Sequence, residues 1–253
     1  MSFVVNPYRF GGGAPPAITF GGASRDFDGT NDDVNLGDSD VFSFGDSSTD
    51  SPFSVCAWIK MDDTTNFRIL SKFQSATTER EWFFNVGSDD KLYLLLYDDN
   101  GGARIGRKTS AAYTANQDSW LHVAATYDGS SLSSGVSLYT TTVGGTTSQD
   151  DTTDQNVATY TAMHNTAAET RIGRLGDFTT ANVHYASGLI ADVRIYDKEL
   201  SSAEVQDIAD GTHIETNLVG WWITDNDDVL DYAGTNHGTN NGSTYSTDGP
   251  ADL

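Results

Sequence analysis

Residues 188–201 read GLIADVRIYDKELS, and this stretch carries the clearest structural pattern in the chain. The run from Gly188 to Asp197 is rich in β-branched and aromatic residues, which favour β-strands. The next residues, Ser201 to Glu204, read Ser-Ser-Ala-Glu and form a capping box, and Gly211 stands where a helix would stop. We therefore predict a strand followed by one short helix near residues 201–210.

Working outward, a second strand is predicted where residues 53–61 read FSVCAWIKM. Its odd-numbered residues fall on one face, and Cys56 and Trp58 fall on the other, so both faces are apolar, as in a central strand. Further strands, separated by clusters of Gly, Asp, Asn, Ser and Thr, are predicted at Arg68 to Phe73, Glu81 to Val86, Lys91 to Tyr97, Trp120 to Tyr127, Val136 to Thr142 and Thr170 to Gly173. Residues 140–166 show little periodicity and are interpreted as a long loop or a weak hairpin. The pattern predicts an all-β, two-sheet antiparallel sandwich.

The acidic residues are mostly aspartates, since the 36 acids comprise 30 Asp and 6 Glu. Asp favours turns and caps whereas Glu favours helix interiors, so this bias indicates a loop-rich fold with little helix. With only 14 basic residues the net charge is -22, which repels phosphate backbones and argues against a nucleic-acid partner. The acids serve either as a solubilising surface or as divalent-cation ligands, and composition alone leaves both open.

The first residues are expected to form an extended arm with a glycine- and proline-rich linker, residues 1–22, ahead of a domain at 23–253. The arm has apolar and turn-forming side chains, namely Phe3, Val5, Pro7 and Tyr8. We expect it either to add a strand to a neighbouring subunit or to be a frayed terminus. The segment lacks the basic and apolar regions of a signal peptide, and no run is long enough to span a bilayer, so neither export nor membrane insertion is predicted from it.

Five stretches, in order, resemble the laminin-G-like branch of the concanavalin A-type lectin and glucanase jelly rolls, which is common in phage and secreted bacterial proteins. They are FDGTNDDVNLG (27–37), FSVCAWIKM (53–61), DSWLHVAATYDG (118–129), RIGR (171–174), and GLIADVRIYDKELS (188–201) with the capped helix. This resemblance implies a jelly roll over most of residues 23–253.

Two features depart from the pattern of that family. Ala191 stands where many relatives have Asp, and Asp192 follows it. The segment from Leu218 to Thr239 is similar to one that usually opens such domains, yet here it closes the chain. We expect it either to complete the sandwich from the other end or to form a docking edge for another subunit.

The sequence offers no positive evidence for catalysis, and we predict that the protein is not an enzyme. It lacks the Glu-x-Asp-x-x-Glu strand of glycanase relatives, and its five histidines form no close ligand pair. Glu79 and Glu81 are interpreted as a solvated strand edge around Arg80. His122 is interpreted as a half-buried histidine whose ring nitrogens are hydrogen-bonded, and Cys56 as a small core residue.

Candidate ligand-binding residues follow from what a sugar or a calcium ion requires. A sugar needs an aromatic platform beside hydrogen-bonding groups, which singles out Trp82, Tyr97, Asp177 and Tyr185, although such aromatics are more often in the core. The resemblance implies a calcium ion at the edge of the sandwich, and Asp28 and Asp192 are its candidate ligands.

The resemblance and the predicted arm together favour a structural or adhesive protein on the surface of a phage virion, either a capsid decoration or a fibre component. Its expected partners are other virion proteins through the arm, a second copy of itself, and surface glycans. The alternative is a carbohydrate-binding module of a secreted bacterial protein.

Overall fold

The computed structural model describes residues 22–74, 79–98, 102–176, 185–222 and 229–250. The predicted arm residues Phe3, Val5, Pro7 and Tyr8, and Asp177, lie outside them. The strands of the described part are β1 (Ser24–Asp28), β2 (Asp33–Gly37), β3 (Phe53–Met61), β4 (Arg68–Gln74), β5 (Glu79–Val86), β6 (Leu92–Asp98), β7 (Ala103–Thr109), β8 (Leu121–Tyr127), β9 (Val136–Thr142), β10 (Ser148–Gln149), β11 (Thr152–Asp154), β12 (Thr170–Ile172), β13 (Ser187–Tyr196), β14 (Leu218–Trp222), β15 (Thr239–Asn241) and β16 (Thr244–Ser246). The helix α1 covers Ser202–Ala209.

These strands form two antiparallel sheets, which confirms the predicted jelly-roll sandwich. Sheet A has the order β10-β9-β8-β3-β13-β1-β16, and β14 also pairs with β13. Sheet B has the order β11-β7-β6-β5-β4-β12-β2-β15. In sheet A, β3 lies between β8 and β13, which confirms the central position predicted from its two apolar faces. A strand in the middle of a packed sheet is apolar on both faces because both faces are buried.

The core fills the space between the sheets. From sheet A, Phe53, Val55 and Ile59 point into it, and from sheet B, Trp82 and Leu94 meet them. The ring centroids of Phe53 and Trp82 lie 5.6 Å apart, and Phe44 stacks on Phe53 with its centroid at 4.3 Å. This aromatic packing joins the two sheets.

Two short hairpin-like segments close the long edges of the sandwich. At one edge, β10 pairs with β9 of sheet A and β11 pairs with β7 of sheet B. At the other, β15 pairs with β2 of sheet B and β16 with β1 of sheet A. Each segment therefore crosses from one sheet to the other and covers edge strands that would otherwise expose unpaired backbone groups.

The C-terminal segment completes the sandwich, which decides between the two interpretations of residues 218–239. Residues Leu218–Trp222 pair with β13 as β14, and Asp231 forms an isolated bridge with Trp222. The hydroxyl of Ser24 donates to the carbonyl of Asp248 at 2.6 Å. The two ends of the described domain therefore meet at one place.

The helix α1 packs on the outer face of sheet A over β3, β8, β9 and β13. The predicted capping box is present: Glu204 N donates to Ser201 Oγ, and Ser201 N donates to Glu204 Oε2 at 2.9 Å. Val205 and Ile208 pack on the sheet in a cluster that includes Cys56, which is buried as predicted. Within the described ranges, no helix has the length and apolar character needed to cross a membrane.

Candidate functional site

The outer face of sheet B carries the most distinctive set of side chains in the fold. On β6, Leu94 points into the core, whereas Tyr93, Leu95 and Tyr97 alternate to the outside. The strand register places further residues beside them on this outer face: Ser71, Phe73, Arg80, Phe83, Asn85, Arg104, Gly106 and Lys108. We call this set of residues, together with Tyr93, Leu95 and Tyr97, the sheet B face.

The centre of the sheet B face is a layer of aromatic rings. The centroid of Phe73 lies 5.4 Å from that of Phe83 and 5.0 Å from that of Tyr97, with the rings edge to face in both pairs. Gly106 makes this packing possible, because a Cβ there would lie 2.1 Å from the carbonyl oxygen of Leu94 and 2.8 Å from the side chain of Leu95. Its φ of 149° also favours glycine.

Cationic side chains lie over these rings. The guanidinium carbon of Arg80 is 6.0 Å from the centroid of Phe73, and that of Arg104 is 5.8 Å from the centroid of Tyr97. The ammonium of Lys108 is 5.5 Å from the centroid of Tyr93. The cations are partly exposed whereas Phe73 and Tyr97 are buried, so at these positions the cations and not the rings meet solvent.

An ion pair and a hydrogen bond fix the side chains of Lys108 and Tyr93 at one end of the sheet B face. Asp89 accepts from Lys108 Nζ at 3.0 Å and from the hydroxyl of Tyr93 at 2.8 Å. Burial raises the pKa of Tyr93, and the hydrogen bond to Asp89 adds to that shift. Burial likewise raises the pKa of Tyr97, against the opposing charges of Arg104 and Arg80. Both tyrosines therefore keep their protons at neutral pH and remain hydrogen-bond donors.

A second group of charges lies on the β12 and β2 side of the same sheet. Arg171 bonds to both Asp33 and Glu169, so its charge is compensated. The guanidinium of Arg174 is 3.7 Å from Asp33 and lies 5.2 Å from the ring centroid of Tyr185. Next to Arg174, Leu175 packs in the same cluster as Tyr97, which links this group to the sheet B face.

The predicted sugar-binding residues fall in different places. Trp82 as a platform is wrong, because its side chain is fully buried in the core and donates through Nε1 to the carbonyl of Phe42 at 2.9 Å. Tyr97 belongs to the sheet B face. Tyr185 is partly exposed and pairs with Arg174 in an isolated bridge, beside that face. A sugar contact for these two tyrosines stays a prediction.

The predicted calcium pair is wrong as a pair, because the two carboxylates are far apart. Asp28 pairs with Ser187 on β13, five residues from Asp192, which corresponds to roughly 16 Å along the strand. Asp28 accepts from the backbone N–H groups of Thr30 and Asn31 in a tight turn. In the ranges that the structure describes, no three His, Cys, Asp or Glu side chains form a group that could hold a metal ion.

Asp192 instead belongs to a buried charge cluster on the outer face of sheet A. Its Oδ1 accepts from Arg194 Nε at 2.8 Å and from Trp221 Nε1 at 2.7 Å. The guanidinium of Arg194 also lies 4.9 Å from the ring centroid of Trp221 and donates to the carbonyl of Thr212. Both charges are fully buried, so this cluster fastens the residues around α1 to the sheet and is closed to a ligand.

Two interpretations of buried polar residues are wrong. His122 is fully buried, and within the described part of the chain neither ring nitrogen has a hydrogen-bond partner. Burial lowers the pKa of His122 to about 3, and the charge of Arg194 acts in the same direction. Glu81 is not a solvated edge: it is buried, lies 3.4 Å from Lys72 Nζ and accepts from Thr166 N at 2.9 Å. Sequence alternation missed this pair because a register shift interrupts β4 and β5 here.

Comparisons with known proteins agree on the fold. The family model described as the concanavalin A-like lectin/glucanases superfamily matches residues 28–206. A candidate carbohydrate-binding protein from Bacteroides ovatus is similar in structure, with a TM-score of 0.60 and 18% identity over 94% of this chain and 62% of that one. The chain thus spans less than two thirds of that protein. A heptameric SAP-like pentraxin from Limulus polyphemus gives a TM-score of 0.54 and 17% identity, covering 90% of this chain and 96% of that one. No curated protein matches the sequence.

Proposed function

Because the chain belongs to the concanavalin A-like lectin/glucanase superfamily, we propose that it is a non-catalytic glycan-binding module and that the glycan lies on the sheet B face. The observation that carries this proposal is the difference between the two outer faces. On sheet A, α1 and the charge cluster of Asp192 and Arg194 cover the outer face over the central strands β3, β8, β9 and β13. The sheet B face instead presents partly exposed polar groups above aromatic rings, as a sugar site requires.

Glycan binding is favoured over a purely structural role on a virion. The Bacteroides ovatus relative is described as a candidate carbohydrate-binding protein, which agrees with this choice. A virion location, partners reached through residues 1–22, and bound calcium are further proposals that rest on the sequence. For calcium, the test is whether the melting temperature rises with calcium chloride and falls with chelator.

An array of neutral and acidic glycans, probed with the full chain, tests the proposed function. We expect reproducible binding that falls about tenfold in Tyr93→Ala, equivalent to ~1.4 kcal/mol, because Tyr93 is the partly exposed ring of the face. Lys108 lies opposite Tyr93 on the sheet B face, and Lys108→Ala is a second variant that we expect to weaken glycan binding.

The matched control is Tyr245→Ala, since Tyr245 is an exposed tyrosine on sheet A, and thermal melting verifies that each variant is folded. Silence of the full chain across the array would overturn the proposal. Binding that survives both face variants would move the site elsewhere.

A further inference from the structure

We propose that the sheet B face recognises an acidic polysaccharide through its carboxylate groups, with Arg80 and Arg104 as the residues that bind the anion. The inference rests on the proposed glycan-binding function and names the ligand class of the same site. The arrangement of charge on this face is unusual for a chain with 36 acidic and 14 basic residues.

Most of the lysines and arginines in the described ranges have an acidic partner close by. Lys60 pairs with Asp248 at 2.6 Å, and Arg107 with Asp154 at 3.1 Å. The same holds for the cations that flank the site and for those in the interior: Lys108 with Asp89, Arg171 with Asp33 and Glu169, Lys72 with Asp38, Arg194 with Asp192, and Lys198 with Glu204. With so many acids available, pairing is the expected state of a cation here.

Arg80 and Arg104 differ from these cations. Over the residues that the structure describes, neither guanidinium forms an ion pair with a carboxylate, and the Nε of each has no hydrogen-bond partner. Arg80 lies over the ring of Phe73, and Arg104 lies over the ring of Tyr97 and hydrogen-bonds to its hydroxyl; the two ring centroids are 5.0 Å apart. The two guanidinium groups therefore lie over neighbouring rings of one face without a carboxylate partner among the described residues, and an anion bound there would be attracted by both charges.

The rings also prepare the two arginines for a ligand. A guanidinium that lies over an aromatic ring has lost much of its rotamer freedom before binding, so less entropy is lost when an anion arrives. Its planar donors match the two oxygens of a carboxylate in a bidentate pair. Tyr97, protonated at neutral pH, lies beside both charges, and Tyr93 offers a partly exposed ring to the sugar.

The net charge of -22 does not prevent such binding. At physiological ionic strength the screening length is about 8 Å, so only acids close to the site repel the ligand appreciably. Two acids that flank the face, Asp89 and Asp33, are already paired with cations. The ligand would therefore meet the positive charges of Arg80 and Arg104, and the charges of these two flanking acids are already compensated.

The test compares two forms of one polymer, polygalacturonate and its fully methyl-esterified neutral form, with dextran sulfate as a third probe. We expect the full chain to bind polygalacturonate at least ~10-fold more tightly than the ester, and Arg80→Gln/Arg104→Gln to abolish that preference. Arg107→Gln removes one charge from β7 at a residue paired with Asp154, and it should retain the preference. The two single variants, each verified by thermal melting, serve if the double variant does not fold.

The outcomes separate this inference from the proposed function. Equal binding of the acidic and esterified polymers, still weakened by Tyr93→Ala, would retain glycan binding and overturn the acidic ligand. Tighter binding of dextran sulfate, lost in the same arginine variants, would overturn the carboxylate in favour of a sulfate. If the full chain binds none of these three polymers and no glycan on the array, both proposals are wrong.

Discussion

At the scale of single residues, the fold holds several charges out of water. Glu81 and Lys72 are both fully buried, and the ammonium of Lys72 also contacts Asp38 at 2.6 Å and the carbonyl of Ala168 at 2.7 Å. Burial raises the pKa of Glu81 to about 7, although Lys72 and the hydrogen bonds from Thr166 oppose the shift. The interior thus binds a proton at Glu81 more tightly than the unfolded chain does.

This shift predicts how stability depends on pH. The favourable contribution of protonated Glu81 is fully present below its unfolded pKa, near 4.5, and is lost as the pH rises through about 7. The free energy of unfolding should therefore fall across this window by on the order of 3 kcal/mol more in the native chain than in Glu81→Gln. Urea titrations between pH 4 and 8 measure this difference, with exposed Glu199→Gln as the control. The same dependence of the unfolding free energy on pH in the native chain and in Glu81→Gln would contradict the prediction.

At the scale of elements, α1 decides which outer face of the sandwich is available. Its buried residues Val205 and Ile208 cover sheet A together with Tyr196 and Leu200. Gln206 also connects the helix to the strands, since its Oε1 accepts from Thr147 N at 2.5 Å. A helix of eight residues has little stability of its own, so its ends and its packing must hold it.

The capping box should therefore contribute measurably to stability. Ser201→Ala removes the side-chain oxygen that accepts from Glu204 N, and we expect the free energy of unfolding to fall by about 1 kcal/mol. Ser202→Ala, one residue into the helix at an exposed position, is the control and should change it by less than ~0.5 kcal/mol. Urea denaturation at pH 7 distinguishes the two, and equal effects would show that the cap is not needed.

At the scale of the whole molecule, the two ends of the described domain meet beside one edge of sheet A. Ser24 donates to Asp248, and a Cβ on Gly249 would lie 2.3 Å from the backbone nitrogen of Ala23. The start of the described fold therefore lies next to its C-terminal end.

We predict that the N-terminal residues serve assembly and not folding. A variant without residues 1–16 should keep the melting temperature of the full chain, because the described sandwich begins at residue 22 and closes on itself. Mass photometry should then show a monomer where the full chain oligomerises. Retained assembly in the shortened variant would contradict an assembly role, and a large drop in melting temperature would show that these residues belong to the fold.

The sequence by itself determined the sandwich, its central strands and its helix, because each of these depends on neighbouring residues. The alternation in Phe53–Met61 and the cap at Ser201 are local patterns that tertiary contacts only reinforce. The strand β7 was missed, since Ala103–Thr109 contains three cations and a glycine and lacks an apolar alternation.

The tertiary structure alone decided which aromatic residues face outward. Around Trp82 the strand β5 is apolar on both faces, so alternation could not tell that Trp82 enters the core while Phe83 turns outward. The pairing of Arg80 with Phe73 and of Arg104 with Tyr97 depends on the register of four strands, including a register shift between β4 and β5. Register is set by the packing of whole sheets, and no local pattern in the chain encodes it.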